Sequence, residues 1–236
     1  MQDESHIATM TKLFHETGSL ICYRDETKIA SAKLKEHVFI DPKYVTGTIY
    51  NILSRSVKNE NGEFDKAHVE TIVQSTQIDA DTWLALMKHF ELIFEIERED
   101  KTYFVAPQYL AKECQNPEQL KWAKKGSKLQ HVFTLSYPDF MPNSNFLRFM
   151  SKYGHLHKDY LYWKEGLVFE FKEHMIFAEC RQTPEERTIS VSVGDGNREI
   201  GRELFEALYD IDPNENLQIS VNNVDFIRIK DLLNYP

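Results

Sequence analysis

Residues 79–106 read DADTWLALMKHFELIFEIEREDKTYFVA, and two structural periods meet inside them. In the first part Trp83, Leu84, Met87 and Phe90 recur at three- and four-residue spacing, the stripe of a helix that buries one side. Asp79 or Asp81 offers a carboxylate to the free amides at its start. After Phe90 the pattern becomes that of two strands, over 92–97 and 102–106, joined by the charged turn Arg98-Glu99-Asp100-Lys101. A helix that runs into a hairpin sets the class of this half of the chain.

Upstream, Asp65 is a natural N-cap for a helix over 66–75 that carries Val69, Ile72 and Val73, and Asn61-Gly62 is a turn signal. Asp41-Pro42 starts another helix, since Asp41 can accept from free amides and Pro42 suits the first turn. It runs to about Arg55 with Val45, Ile49, Ile52 and Leu53 inside. Val38-Phe39-Ile40 and Leu20-Ile21-Cys22-Tyr23 are short strand candidates. Residues 7–17 form an amphipathic helix with Ile7, Met10, Leu13 and Phe14 on one face and Gly18 as its C-cap. Strand, three helices and a hairpin is the order of a winged helix.

Downstream the character changes. Residues 112–128 are polar and lysine-rich, Asn116-Pro117 interrupts the pattern, and a domain boundary is expected there, between units at 1–115 and 127–236. The second unit reads as a strand over 132–137, a helix from Pro142 to about Tyr153, strands near 160–164, 166–172, 175–181 and 187–193, and a helix over 197–210. A strand at 217–221 and a segment at 225–234, compatible with helix or strand, close the chain. The expected class is α+β: a helical, winged-helix-like subdomain followed by an antiparallel-sheet subdomain with flanking helices.

Composition restricts function. A chain of 236 residues with 42% apolar and 12% aromatic residues can bury a core, and no stretch approaches the roughly 20 apolar residues of a membrane span. Cys22, Cys114 and Cys180 are odd in number and far apart, which argues against a disulfide framework and fits a cytoplasmic protein. A formal charge of -9 is a poor footprint for nucleic acid or anionic lipid, although it leaves room for a local basic patch.

The motifs point away from catalysis. Lys125-Gly126-Ser127-Lys128 lacks the order of a phosphate loop, and Gly194-Asp195-Gly196 reads as a turn between strand and helix, so no nucleotide cofactor is expected. His155, His157 and Asp159 have the spacing of a partial metal site, which would make a metal-dependent hydrolase. Tyr160 stands where a further histidine would be needed, and a solvated loop is the plainer reading. Glu16, Glu170, Glu173 and His174 have no spacing that forces an acid/base pair. A DNA-binding winged helix with a C-terminal sensing domain is a further alternative. Its recognition helix would begin beside Asp79 and Asp81 and carry one lysine, Lys88, too few for phosphate neutralisation. The aromatic run Tyr160-Leu161-Tyr162-Trp163 is open to two readings, core strand or partner surface.

Four segments carry a resemblance. Leu13-Phe14-His15-Glu16-Thr17-Gly18 with Leu20 to Tyr23 resembles the helix-glycine-strand opening of COR domains of Roco proteins. Val38-Phe39-Ile40-Asp41-Pro42-Lys43-Tyr44-Val45 is similar to their strand, acidic-proline and aromatic signature. Phe140-Met141-Pro142 with Phe146 and Arg148, and Tyr162-Trp163-Lys164-Glu165-Gly166, resemble the proline-aromatic-arginine helix and the Trp-x-x-Gly turn of the second COR half. Asn143, Ser144 and Asn145 stand where members often carry a glycine, which alters that loop. The resemblance implies a chain that starts inside the first half, separated from its GTPase domain and any leucine-rich repeats. It implies a non-catalytic module without cofactor or metal. Its COR-A half would contact the Roc GTPase domain, with Val38, Phe39, Ile40 and Tyr44 as candidates. Its COR-B half would form a homodimer, with Phe146, Arg148, Tyr162 and Trp163 as candidates. Neither nucleic acid nor a membrane span is implied.

Overall fold

A computed structural model describes residues 2–24, 31–57 and 61–233 of the chain. The first half contains α1 (Gln2–Glu16), β1 (Ile21–Cys22), α2 (Ala32–Lys35), β2 (Val38–Phe39), α3 (Pro42–Ser56), β3 (Asn61–Phe64), α4 (Lys66–Val73), α5 (Ala80–His89), β4 (Phe94–Arg98) and β5 (Lys101–Leu110). Then come α6 (Pro117–Gly126), β6 (Leu129–Ser136), α7 (Ser144–Tyr153), a 3-10 turn at Gly154–Leu156, β7 (His157–Trp163), β8 (Gly166–Phe171), β9 (His174–Gln182) and β10 (Arg187–Gly194). The chain closes with α8 (Arg198–Ile211), β11 (Gln218–Ser220), β12 (Ile227–Arg228) and α9 (Ile229–Leu233). Helices and antiparallel sheets together make the fold α+β.

Local chemistry sets the helix starts. Asp41 Oδ1 accepts from the amides of Lys43 at 2.9 Å and Tyr44 at 3.2 Å, and Pro42 occupies the first turn of α3. Asp65 accepts from the His68 amide at 3.0 Å. At α5 the cap is Asp79, which accepts from Thr82 N at 2.9 Å. Asp81, the other candidate, instead pairs with Lys66 at 2.6 Å and Lys33 at 3.0 Å. Those two ammonium groups hold its carboxyl below the usual carboxylate range.

Two elements differ from the sequence reading. Asn61-Gly62 opens β3 and is not a hairpin turn. Gly62 adopts φ +65 at a register shift, and the strand pairs with β5, Phe64 opposite Phe104. The strand beside the hairpin is therefore 61–64, whereas β2 pairs with β1 in a separate two-stranded ribbon. The second is α6. Asn116-Pro117, an interruption at the domain boundary in the sequence reading, instead starts this helix, because proline is tolerated at the first turn.

The three-stranded sheet, in the order β3-β5-β4, is buried on both faces. One face places Phe64, Phe104 and Ala106 on the helices α3, α4 and α5 around Val45, Ile52, Val69 and Trp83. The other carries Phe94, Ile96 and Val105 into the core of the second half, beside Phe149, Met150 and Tyr153 of α7. Period-2 alternation makes the division: Phe94, Ile96 and Arg98 share one side of β4. The seven-stranded antiparallel sheet runs β12-β11-β6-β10-β9-β8-β7. Its main core includes Phe133, Leu135, Leu167, Phe169, Ile176, Ile189 and Val191, covered by α7 and α8. On the opposite side Leu161, Trp163, Val168 and Phe177 are covered by α6.

Candidate functional site

The first candidate surface is the corner made by β2 and the start of α3. The pleat of β2 sends Phe39 inward, 4% exposed, where its ring lies 6.0 Å from that of Trp83. Val38 and Ile40 point outward at 39% and 80% exposure. Tyr44 follows on the first turn of α3, half exposed, with its ring against the edge of Trp83 at 6.2 Å. Tyr50, also exposed, lies on the same helix but about 120° round it from Tyr44. On α1, Ile7, Met10, Leu13 and Phe14 are all exposed, so the stripe visible in the sequence has no cover among the described residues.

The second group is engaged inside the chain. Phe146 and Trp163 are buried. Arg148 Nε donates to Glu91 Oε2 at 2.6 Å and its Nη1 to the Ile211 carbonyl at 3.1 Å. Tyr162 donates to Glu63 Oε1 at 2.9 Å. Trp163 lies across Gly166 so closely that a Cβ there would overlap the indole, which is the physical content of the Trp-x-x-Gly turn. Arg148 and Tyr162 connect the two halves of the chain, and Phe146 and Trp163 fix the elements that carry them.

Around Tyr162 the structure assembles residues that sequence reasoning missed. Arg98 grips Glu63 with both terminal nitrogens, at 2.9 and 3.2 Å, and its guanidinium lies 4.7 Å from the Tyr160 ring centre. Tyr160 Oη donates to the Glu97 carbonyl at 3.0 Å. β7 bulges between His157 and Tyr162, with Asp159 at φ 53 and Tyr160 at φ 57, and the bulge turns Tyr160 toward Arg98. Phe94 meets Tyr162 edge-on at 5.4 Å. The missed signal was the unbroken apolar run Phe104-Val105-Ala106, which marks a strand buried on both faces.

His157 sits beside this network against the rings of Tyr160 and Tyr162. Burial, and then the charge of Arg98, hold its pKa below the usual value. The unfolded chain therefore takes up the proton first as pH falls, and stability is lost from about pH 7 downward toward the folded-state pKa. Urea midpoints at pH 7.5 and 5 check this; His157→Gln is expected to reduce the decline, and an equal decline in both proteins would remove His157 as its source.

Catalytic chemistry finds no focus among the described residues. No three of His, Cys, Asp and Glu side chains lie where they could share a metal ion, and His157 Nδ1 instead accepts from the Tyr160 amide at 3.3 Å. Burial, with Glu165 and Glu179 nearby, pushes the Cys180 thiol up to about 12, so it stays protonated and a poor nucleophile. Glu170 pairs with Lys158 and Glu16 with Lys12, in separate places. α5 buries Trp83, Leu84, Leu86 and Met87, and Lys88 is tied to Glu95 at 2.8 Å, which leaves no cationic face for a DNA groove.

Comparison with known families gives the chain its family. The family described as "C-terminal of Roc, COR-A domain" matches residues 1–110, and "C-terminal of Roc, COR-B domain" matches 128–226. The chain belongs to the COR family of Roco proteins. A curated relative, the "Probable serine/threonine-protein kinase pats1" of Dictyostelium discoideum, is 21% identical over 217 residues. The match covers 87% of this chain and 7% of that protein. COR is a non-catalytic region of Roco proteins, which also carry a Roc domain. No helix among the described residues of this COR chain is long and apolar enough to cross a membrane.

Proposed function

We propose that this COR chain is a cytoplasmic, non-catalytic scaffold. Its first half seats the Roc GTPase domain of the same protein, and its second half pairs with a second copy. The observation that carries the reading is the apolar corner Val38, Ile40 and Tyr44, exposed on an acidic chain and backed by buried Phe39 and Trp83. Exposed apolar residues on a rigid base are what a protein interface needs. The element order α3-β3-α4-α5-β4-β5 suits a winged-helix-like unit used for protein contact, given the buried sides of α5. In the pairing of two copies, Phe146, Arg148, Tyr162 and Trp163 act by holding α7 and β7 in place.

Calorimetric titration with the Roc domain tests the first half. Ile40→Asp is expected to weaken binding at least about tenfold, a loss in the range of an interface hot spot, with an unchanged melting temperature because Ile40 is so exposed. Unchanged affinity would remove this corner from the interface. Sedimentation equilibrium tests pairing: a concentration-dependent dimer is expected, and a monomer at every concentration would end that part of the reading.

A further inference from the structure

The lysine-rich helix α6 is used by neither of these surfaces. It covers the back of the seven-stranded sheet with Leu120 and Ala123, which pack against the cluster of Leu161, Trp163, Val168 and Phe177. Lys124 flanks the contact, its Nζ 3.7 Å from the Phe177 ring centre. At about 100° per residue, Trp122 and Lys125 fall on the side away from Leu120. Trp122 is 77% exposed, whereas Trp83 and Trp163 are 0% and 6% exposed. Lys121, Lys125 and Lys128 are exposed, and among the described residues none has a carboxylate within ion-pair distance; Lys112 nearby is held by Glu165 at 3.4 Å.

We infer that the outer face of α6 is a contact site for an anionic lipid surface, with Trp122 entering the headgroup layer, Lys121 and Lys125 facing the lipid charges, and Lys128 adding charge just beyond the helix end. Residues 117–128 carry +3, four lysines against Glu118, in a chain of -9. At physiological salt the screening length is about 8 Å, so a membrane touching α6 responds to this local charge more than to distant carboxylates. Lysines beside an indole on an exposed helical face are the composition that such interfaces bind. Shape decides against a protein partner. The helix has 10 residues. It is therefore about 15 Å long and offers roughly 150 Å² on its convex side, far below the about 800 Å² per partner of a stable protein complex. A lipid surface needs no matching pocket.

The test uses the 236-residue chain with phosphatidylcholine vesicles, with and without phosphatidylserine. Cosedimentation is expected only with phosphatidylserine and is lost at high salt. A blue shift of tryptophan emission is expected on binding, absent in Trp122→Phe, because the other two indoles are already buried. Each lysine removed weakens binding roughly fivefold, so K121A/K125A is expected to lose about 25-fold. Circular dichroism of the variants guards against misfolding, which these exposed positions do not invite. Equal sedimentation with neutral vesicles, or full binding by K121A/K125A, would overturn the assignment. Binding to a poly-glutamate peptide without binding to the vesicles would overturn it too and give the face to an acidic protein segment.

Discussion

Phe94→Ala is expected to destabilise the chain by about 3–5 kcal/mol and to separate the unfolding of its two halves. Phe94 belongs in sequence to the first-half hairpin, but its side chain lies in the second-half core, 2% exposed. Its ring occupies the space above Gly154, where an added Cβ would come within 2.6 Å of the ring carbon Cγ. It also meets Tyr162 edge-on. Truncation removes the transfer free energy of a buried ring and opens a cavity that the β-sheet on one side and α7 on the other cannot both close.

The cavity lies at the junction, so the effect differs in kind from that of an equal loss elsewhere. Phe104 is on the opposite face of the same sheet, 6% exposed in the first-half core. Phe104→Ala is expected to cost a similar amount while unfolding remains a single transition. Urea melts followed at two wavelengths distinguish the cases: Phe94→Ala gives probes that no longer coincide. Coincident curves with a loss below about 1 kcal/mol would show that Phe94 is not the anchor between the halves.

The expectations met the structure where local chemistry decides. The caps Asp41, Asp65 and Asp79 and the hairpin around Arg98 to Lys101 follow from hydrogen bonds and φ/ψ preferences within a few residues. The α+β class followed from the change of period along the chain. What could not be read was the partner of each exposed or buried face. Val38 and Ile40 differ from Phe39 only by register, and register depends on β1 nearly twenty residues upstream. Trp163 and Phe146 have the composition of interface residues, but the same composition fills cores; Gly166 and the covering α6 bury Trp163, and Phe146 packs into the other side of the sheet beside Phe149. Glu63 sits in a strand taken for a turn because Asn-Gly is a strong local signal. The pairing of Phe64 with Phe104, forty residues on, overrides it.

Glu63→Ala is expected to be the next most damaging change outside the apolar core. The carboxylate accepts from both terminal nitrogens of Arg98 and from the Tyr162 hydroxyl. Removing it leaves a guanidinium beside buried apolar groups and a phenol without an acceptor. A fully buried pair broken this way costs roughly 3–5 kcal/mol, but Arg98 keeps 38% of its side chain in water while Glu63 keeps 12%, so about 2 kcal/mol is the expected loss. Glu63→Gln keeps one acceptor oxygen for Tyr162 but puts an amide donor where the second oxygen accepted from Arg98, so it is expected to lose less than Glu63→Ala without matching the wild type. Burial, together with the charge of Glu63, holds the Tyr162 phenol far above its ordinary value. Glu63→Ala is therefore expected to make Tyr162 ionise at lower pH in an ultraviolet titration, since the nearby negative charge that opposes phenolate is gone while Arg98 remains. The double variant Glu63→Ala/Arg98→Ala decides whether Arg98 acts only as the partner of Glu63: recovery of about 1 kcal/mol over Glu63→Ala is expected, because the stranded cation is removed with its partner. A double variant less stable than Glu63→Ala would show that Arg98 contributes independently through the face of Tyr160, and that stacking outweighs the ion pair.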